Sequence, residues 1–92
     1  YAYVASNNAD RLTIIDILAP ANPTIVGSVN DVSLDSAFGV YVSGNYAYVA
    51  STYSDSLTVI DISVPANPTI KHDLSIPKFI SSLSLSYFWS VL

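Results

Sequence analysis

The six residues YAYVAS occur twice in this chain, at residues 1–6 and again at residues 46–51, a spacing of 46 − 1 = 45 residues. Two further blocks keep this spacing: LTIID at 12–16 returns as LTVID at 57–61, and PANPTI at 20–25 returns at 65–70. A fixed period of roughly 20–50 residues is typical of proteins that use one supersecondary unit several times. The repeat therefore predicts an architecture, but it indicates neither a ligand nor a reaction.

The composition favours a small β protein. Of the 92 residues, 51% are hydrophobic and only 11% are charged, which excludes a disordered chain. Tyr, Val, Ile, Thr and Ser are abundant and Glu is absent, as is typical of strands rather than helices. The length suffices for one small domain at most.

The charge and cysteine content exclude several kinds of partner and site. Arg11, Lys71 and Lys78 carry all the positive charge, and seven Asp residues give a net charge of −4. Without a Lys/Arg cluster, no nucleic-acid partner is expected. Without Cys there is neither a disulfide nor a thiolate site. The chain begins at Tyr1, inside a predicted strand, and we expect further residues upstream.

Turn residues divide the repeat into short strands. Gly44 and Asn45 form a two-residue turn that predicts a type I′ hairpin, and proline in the PANP block ends the strand before it. In the second copy strands are predicted at 38–43, 46–51, 57–62 and from 69 onward. The first copy lacks the opening strand and keeps those at 1–6, 12–17 and 24–29. Residues 30–36 form a polar, acidic connection.

Alternation along these strands places apolar residues on both faces. In residues 57–62, Leu57 and Val59 share one face, whereas Ile60 and Ile62 share the other. A sheet with one face in water would alternate between apolar and polar residues. Sheets covered on both faces are typical of stacked propeller blades.

YAYVAS, LTIID or LTVID, and PANP follow one another in this order twice at constant spacing, and GVYVSGN precedes YAYVAS in the second copy. These blocks resemble the LVIVD repeat of bacterial and archaeal proteins. The resemblance covers residues 1–70. It implies an all-β fold of about two four-stranded antiparallel blades, a partial β-propeller. The expected units are blade 1 without its first strand plus the connection (1–35), blade 2 (36–74) and a divergent tail (75–92). The family also implies an extracellular or cell-surface location and supplies no catalytic residues.

The tail departs from the repeat. After Ile25 the first copy continues VGSV, whereas after Ile70 the second continues KHDL, and residues 79–92 are rich in Ser, Leu and aromatic residues. Three interpretations stay open: a closing strand that pairs with the edge at residues 1–6, an altered gene end, and a membrane anchor. The anchor is the weakest, because the segment is shorter than the roughly 20 apolar residues of a span and serines interrupt it.

Several polar residues are candidates for a site, each with a structural alternative. Asp16 and Asp61 end equivalent strands, and their repetition favours a turn role over an acid or metal ligand. Asp31 and Asp35, next to Asn30, are weak candidates for calcium ligands, because the glycine and regular spacing of a calcium loop are missing. A solvated acidic loop is favoured.

The remaining candidates are also favoured as structural. His72 has Asp73 beside it, but adjacent strand residues point to opposite faces, which disfavours a catalytic pair. Arg11 follows Asp10 in an exposed turn. Four tyrosines suggest either a sugar-stacking platform or packing between blades, and their recurrence favours packing: Tyr1, Tyr3, Tyr46 and Tyr48. No cofactor or resident metal is predicted.

Two blades cannot close a ring, since propellers have four or more. The sequence therefore predicts a non-catalytic binding or scaffolding module whose partners are other propeller blades, in the same protein or in further copies. A protein or carbohydrate ligand is compatible with this hypothesis, and no membrane span is expected. The alternatives are part of a propeller enzyme whose site is built from other blades, and a self-assembling structural protein.

Overall fold

A computed structural model, which describes residues 1–76, confirms the all-β class with seven antiparallel strands in two sheets. The three-stranded sheet, blade 1, has the order β1-β2-β3, and the four-stranded sheet, blade 2, has the order β4-β5-β6-β7. The strands are β1 Ala2–Ser6, β2 Arg11–Asp16, β3 Thr24–Asn30, β4 Ala37–Ser43, β5 Tyr46–Ser51, β6 Ser56–Asp61 and β7 Thr69–Ser75. The predicted tail, apart from Ser75 and Ile76, lies outside the described residues.

The prediction of a type I′ turn at Gly44-Asn45 is wrong about the type of turn. Ser43 pairs with Tyr46, so the two-residue hairpin itself forms. A type I′ turn needs positive φ at both central residues, but only Gly44 has it, with φ 58°. Positive φ at the first central residue alone is the pattern of a type II′ turn, which also matches the twist of the flanking strands.

The two blades repeat their local backbone features at the 45-residue spacing. Asp10 (φ 51°) and Asp55 (φ 48°) hold the left-handed conformation in equivalent hairpins, a conformation that Asp tolerates better than most residues. Each blade also has a register shift in its last strand pair, between Ile14 and Ile15 in blade 1 and between Val59 and Ile60 in blade 2. The sequence repeat is therefore a repeat of backbone geometry.

The hydrophobic core lies between the blades, where opposite faces of the two sheets meet. Blade 1 contributes Leu12 and Ile14, and blade 2 contributes Val49 and Ile60, all fully buried in one cluster. Leu12 corresponds to Leu57 of blade 2, which lies on the other face of its sheet from Ile60. One blade thus packs head to tail on the next, as successive blades of a propeller do.

Close approach of the blades depends on a glycine. A Cβ atom added at Gly27, in β3, would overlap the carbonyl oxygen of Pro65 and lie 3.2 Å from the carbonyl carbon of Ala66. These two residues belong to the PANP loop of blade 2. The absence of a side chain at Gly27 therefore lets this loop rest on the backbone of blade 1.

Candidate functional site

Asp16 and Asp61 accept hydrogen bonds within their own turns. An oxygen of Asp16 accepts from the backbone N–H of Leu18 at 2.8 Å, and the equivalent oxygen of Asp61 accepts from the N–H of Ser63 at 2.9 Å. The Ser63 hydroxyl donates to that same oxygen at 2.6 Å. This hydroxyl and then the N–H hold the pKa of Asp61 below its ordinary value, with a smaller contribution from the charge of Lys71. Ionised Asp61 is therefore a turn acceptor rather than a group poised to donate a proton.

The acidic connection between the blades contains a short 3₁₀ helix, Val32–Leu34. The carboxylate of Asp31 caps this helix by accepting from the N–H of Ser33 at 3.0 Å. The neighbouring Ser33, whose N–H is the hydrogen-bond donor, holds the pKa of Asp31 below its ordinary value. Asp35 ends the helix, and its carboxylate accepts from the Ser36 hydroxyl at 3.5 Å.

The two weak calcium candidates are thus placed at opposite ends of one helical turn. Asp31 and Asp35 lie on either side of Val32–Leu34. Neighbouring Asn30 uses both ends of its amide within the protein: its oxygen accepts from Arg11 at 3.2 Å, and its nitrogen donates to the carbonyl of Ala9 at 3.1 Å. Within residues 1–76, no group of three His, Asp or Glu side chains is arranged to hold a metal ion.

A buried hydroxyl cluster, which the sequence analysis did not single out, anchors the 3₁₀ helix to blade 2. The carbonyl oxygen of Ser33 accepts from the hydroxyls of Ser54 at 2.7 Å, Ser56 at 2.8 Å and Thr58 at 3.4 Å. A difference between the two repeats could have revealed this cluster in the sequence. Blade 1 has Ala9 and Arg11 at the positions where blade 2 has Ser54 and Ser56. The cluster satisfies buried polar groups and offers no acid or base to activate a hydroxyl as a nucleophile.

His72 and the carboxylate beside it do not form a catalytic pair. In β7, His72 pairs with Val59 and Asp73 pairs with Thr58, so the two side chains lie on opposite faces. Both are exposed, and neither side chain makes a hydrogen bond within the part of the chain that the structure describes. Arg11 is directed to Asn30 rather than to Asp10.

The four recurring tyrosines do not share one surface. Tyr3 is half-buried against the core between the blades. Tyr48 is half-buried on the opposite face of blade 2, with its ring centroid 6.3 Å from that of Tyr41. Tyr1 and Tyr46 are exposed. Aromatic packing across neighbouring strands accounts for the Tyr41–Tyr48 pair.

Comparison with known families matches the chain to the model described as "LVIVD repeat", over residues 1–31 and 36–75. These two ranges coincide with the strands of blade 1 and blade 2. No curated protein and no solved structure matches the chain. Among residues 1–76, no helix is long and apolar enough to cross a membrane.

Proposed function

The chain belongs to the LVIVD repeat family, and we propose that it is a non-catalytic binding or scaffolding module of an exported or cell-surface protein. In this proposal it contributes two adjacent blades to a larger β-propeller-type assembly. The observation that carries the proposal is the contrast between Val4 and Val49, which occupy the same repeat position. Val49 is fully buried between the blades, whereas Val4 is 43% exposed.

The exposed Val4 belongs to an apolar face that lacks a neighbour within residues 1–76. We call it the free face of blade 1; it includes Val4 on β1 and Thr13 and Ile15 on β2. The equivalent residues of blade 2 are Val49, Thr58 and Ile60, and all three are fully buried. Val49 and Ile60 belong to the core cluster that includes Leu12 and Ile14 of blade 1. Apolar residues that are buried in one repeat and open in the other favour association with a further blade.

The non-catalytic part of the proposal rests on the roles of the polar side chains. Asp16, Asp31 and Asp61 accept hydrogen bonds in turns or at a helix end, and the His72 side chain makes no hydrogen bond to them. General acid–base catalysis needs a titratable group within hydrogen-bond reach of a reacting atom, with its pKa near the working pH. The pKa values of Asp31 and Asp61 are lowered from their ordinary value, which moves both carboxyl groups further from a neutral working pH.

Sedimentation velocity on the full chain over a wide concentration range tests the proposed association. We expect a complex heavier than the monomer, because the free face of blade 1 associates with a second copy. Val4→Asp should shift the chain to the monomer, since it places a charge in the contact. Val32→Asp is the matched control: Val32 is 83% exposed on the 3₁₀ helix and should leave the mass unchanged.

Two results would contradict the proposal. One is a folded wild-type chain that stays monomeric at every concentration. The other is hydrolase or oxidoreductase turnover that disappears in His72→Ala, since this would favour the enzyme hypothesis.

A further inference from the structure

Two buried hydroxyl groups adjoin the hydroxyl cluster that anchors the 3₁₀ helix to blade 2. They belong to Ser33, which is 3% exposed, and to Ser51, which is fully buried. Within residues 1–76, neither hydroxyl oxygen has a hydrogen-bond partner. Most buried side-chain polar atoms have one, because an unpaired buried hydroxyl loses the hydration that it has in the unfolded chain. These two hydroxyls therefore need a partner other than the groups of the described residues.

Both hydroxyls lie in the same region of the fold. Ser51 ends β5 and is paired directly with Ser56 of β6, so these two side chains lie on the same face of blade 2. The hydroxyl of Ser56 donates to the carbonyl oxygen of Ser33 at 2.8 Å. Ser56 is therefore adjacent to Ser51 across the strand pair and hydrogen-bonded to Ser33. The buried region that these residues enclose is polar, unlike the apolar core between the blades.

The hydroxyl cluster has capacity to accept further hydrogen bonds. The carbonyl oxygen of Ser33 lies within hydrogen-bond distance of three hydroxyls, those of Ser54, Ser56 and Thr58. The hydroxyl oxygens of Ser54 and Ser56 are also only 2.9 Å apart. Three hydroxyls supply only three protons to these four contacts, whereas each hydroxyl oxygen has two lone pairs. Some of the lone pairs in the cluster are therefore open to an additional donor.

We propose that this region is a binding site for one internal water molecule, which bridges the hydroxyls of Ser33 and Ser51. The water accepts a hydrogen bond from each of these hydroxyls and donates to an open lone pair of the cluster. Buried water molecules typically make about three hydrogen bonds to polar groups that are otherwise unpaired. The 3₁₀ helix is then attached to β6 directly, through hydroxyl groups, and to β5 through the water molecule.

Blade 1 has no equivalent site. Ser6 occupies the repeat position of Ser51, since 6 + 45 = 51, but it is only half-buried. It is paired with Arg11, whereas Ser51 is paired with a serine. Ala9 stands where blade 2 has Ser54. The hydroxyl of Ser6 can reach the solvent without a trapped water molecule, so Ser6 is a matched control for Ser51.

A crystal structure of the full chain, at a resolution that shows ordered solvent, tests the site directly. We expect one solvent peak within about 2.5–3.0 Å of the hydroxyl oxygens of both Ser33 and Ser51. Direct hydrogen bonds from these hydroxyls to protein acceptors, without a solvent peak between them, would overturn the proposal.

Urea unfolding of serine variants tests the energetic role of the water. Ser51→Ala should lower the folding equilibrium constant roughly fivefold, the usual effect of losing one hydrogen bond. Ser33→Ala should have a similar effect, and the double variant should lose less than the product of the two factors because both hydroxyls bind the same water. Ser6→Ala should leave the equilibrium constant unchanged.

The sign of the Ser51→Ala effect separates a hydrated hydroxyl from an unpaired one. Removal of a buried hydroxyl that has no partner should stabilise the protein, because the cost of its burial disappears. A Ser51→Ala variant as stable as the wild type or more stable would therefore overturn the proposal. So would a loss in Ser6→Ala as large as that in Ser51→Ala, or strictly independent effects of Ser33→Ala and Ser51→Ala.

Discussion

Gly27→Ala should lower the free energy of unfolding by about 3 kcal/mol, at the upper end of the usual cost of overpacking. The added Cβ would overlap the carbonyl oxygen of Pro65 and lie 3.1 Å from its carbonyl carbon. Both are backbone atoms, so a side-chain rotation cannot relieve the overlap and the PANP loop must move away from blade 1. Urea unfolding, followed by circular dichroism, measures the loss.

Ser28→Ala is the matched control for this substitution. Ser28 is the next residue of β3, and it is exposed. A surface change of this kind alters stability by no more than about 0.5 kcal/mol. Away from such a contact, replacing glycine in a strand by alanine should be neutral or stabilising. A Gly27→Ala variant as stable as the wild type would therefore show that the loop does not rest on blade 1.

Ile60→Ala should destabilise the protein by about 4 kcal/mol, whereas Ile15→Ala should cost about 1 kcal/mol. The two isoleucines occupy the same repeat position, since 15 + 45 = 60. Ile60 is fully buried between the blades, and Ile15 is half-buried on the free face of blade 1. The difference arises because truncation leaves a cavity only where the surrounding atoms are packed on all sides.

In a second pair of equivalent residues, the buried member belongs to blade 1 rather than to blade 2. Leu12 of blade 1 is fully buried, and its equivalent in blade 2, Leu57, is half-buried. Leu12→Ala should therefore be more destabilising than Leu57→Ala, with the blade 1 residue now the sensitive one. Urea unfolding of all four variants distinguishes head-to-tail packing from the alternative in which the same face of both blades is buried. In that alternative, the same repeat position would be sensitive in both blades.

Much of the fold could be predicted from the sequence because its signals are local. The spacing of 45 residues, the PANP breaker and the turn residues determine where strands begin and end, and the strand bounds agree to within one residue. The turn role favoured for Asp16 and Asp61 has a short-range cause as well, since each carboxylate accepts from a backbone N–H two residues later. Interactions within one turn require no knowledge of the tertiary packing.

Features that depend on contacts between the blades could not be read from the sequence. Residues 30–36 were predicted as a polar connection, but Leu34 within it is fully buried in the core. The sequence diverges after Ile70, and yet β7 continues to Ser75, because its backbone hydrogen bonds with β6 tolerate different side chains. The roles of Gly27 and the Ser33 carbonyl emerge only when the second blade is in place.

The head-to-tail packing of blade 1 on blade 2 is tested most directly by nuclear Overhauser effects in solution. Effects between the α-protons of Gly27 and protons of residues 65–67 are predicted, because the PANP loop lies on Gly27. Effects between Ile14 and Gly27, which pair within blade 1, are the internal control. Observation of the Ile14–Gly27 effects together with effects from Gly27 to residues 65–67 would support the packing. The Ile14–Gly27 effects without any effect from Gly27 to residues 65–67 would contradict it.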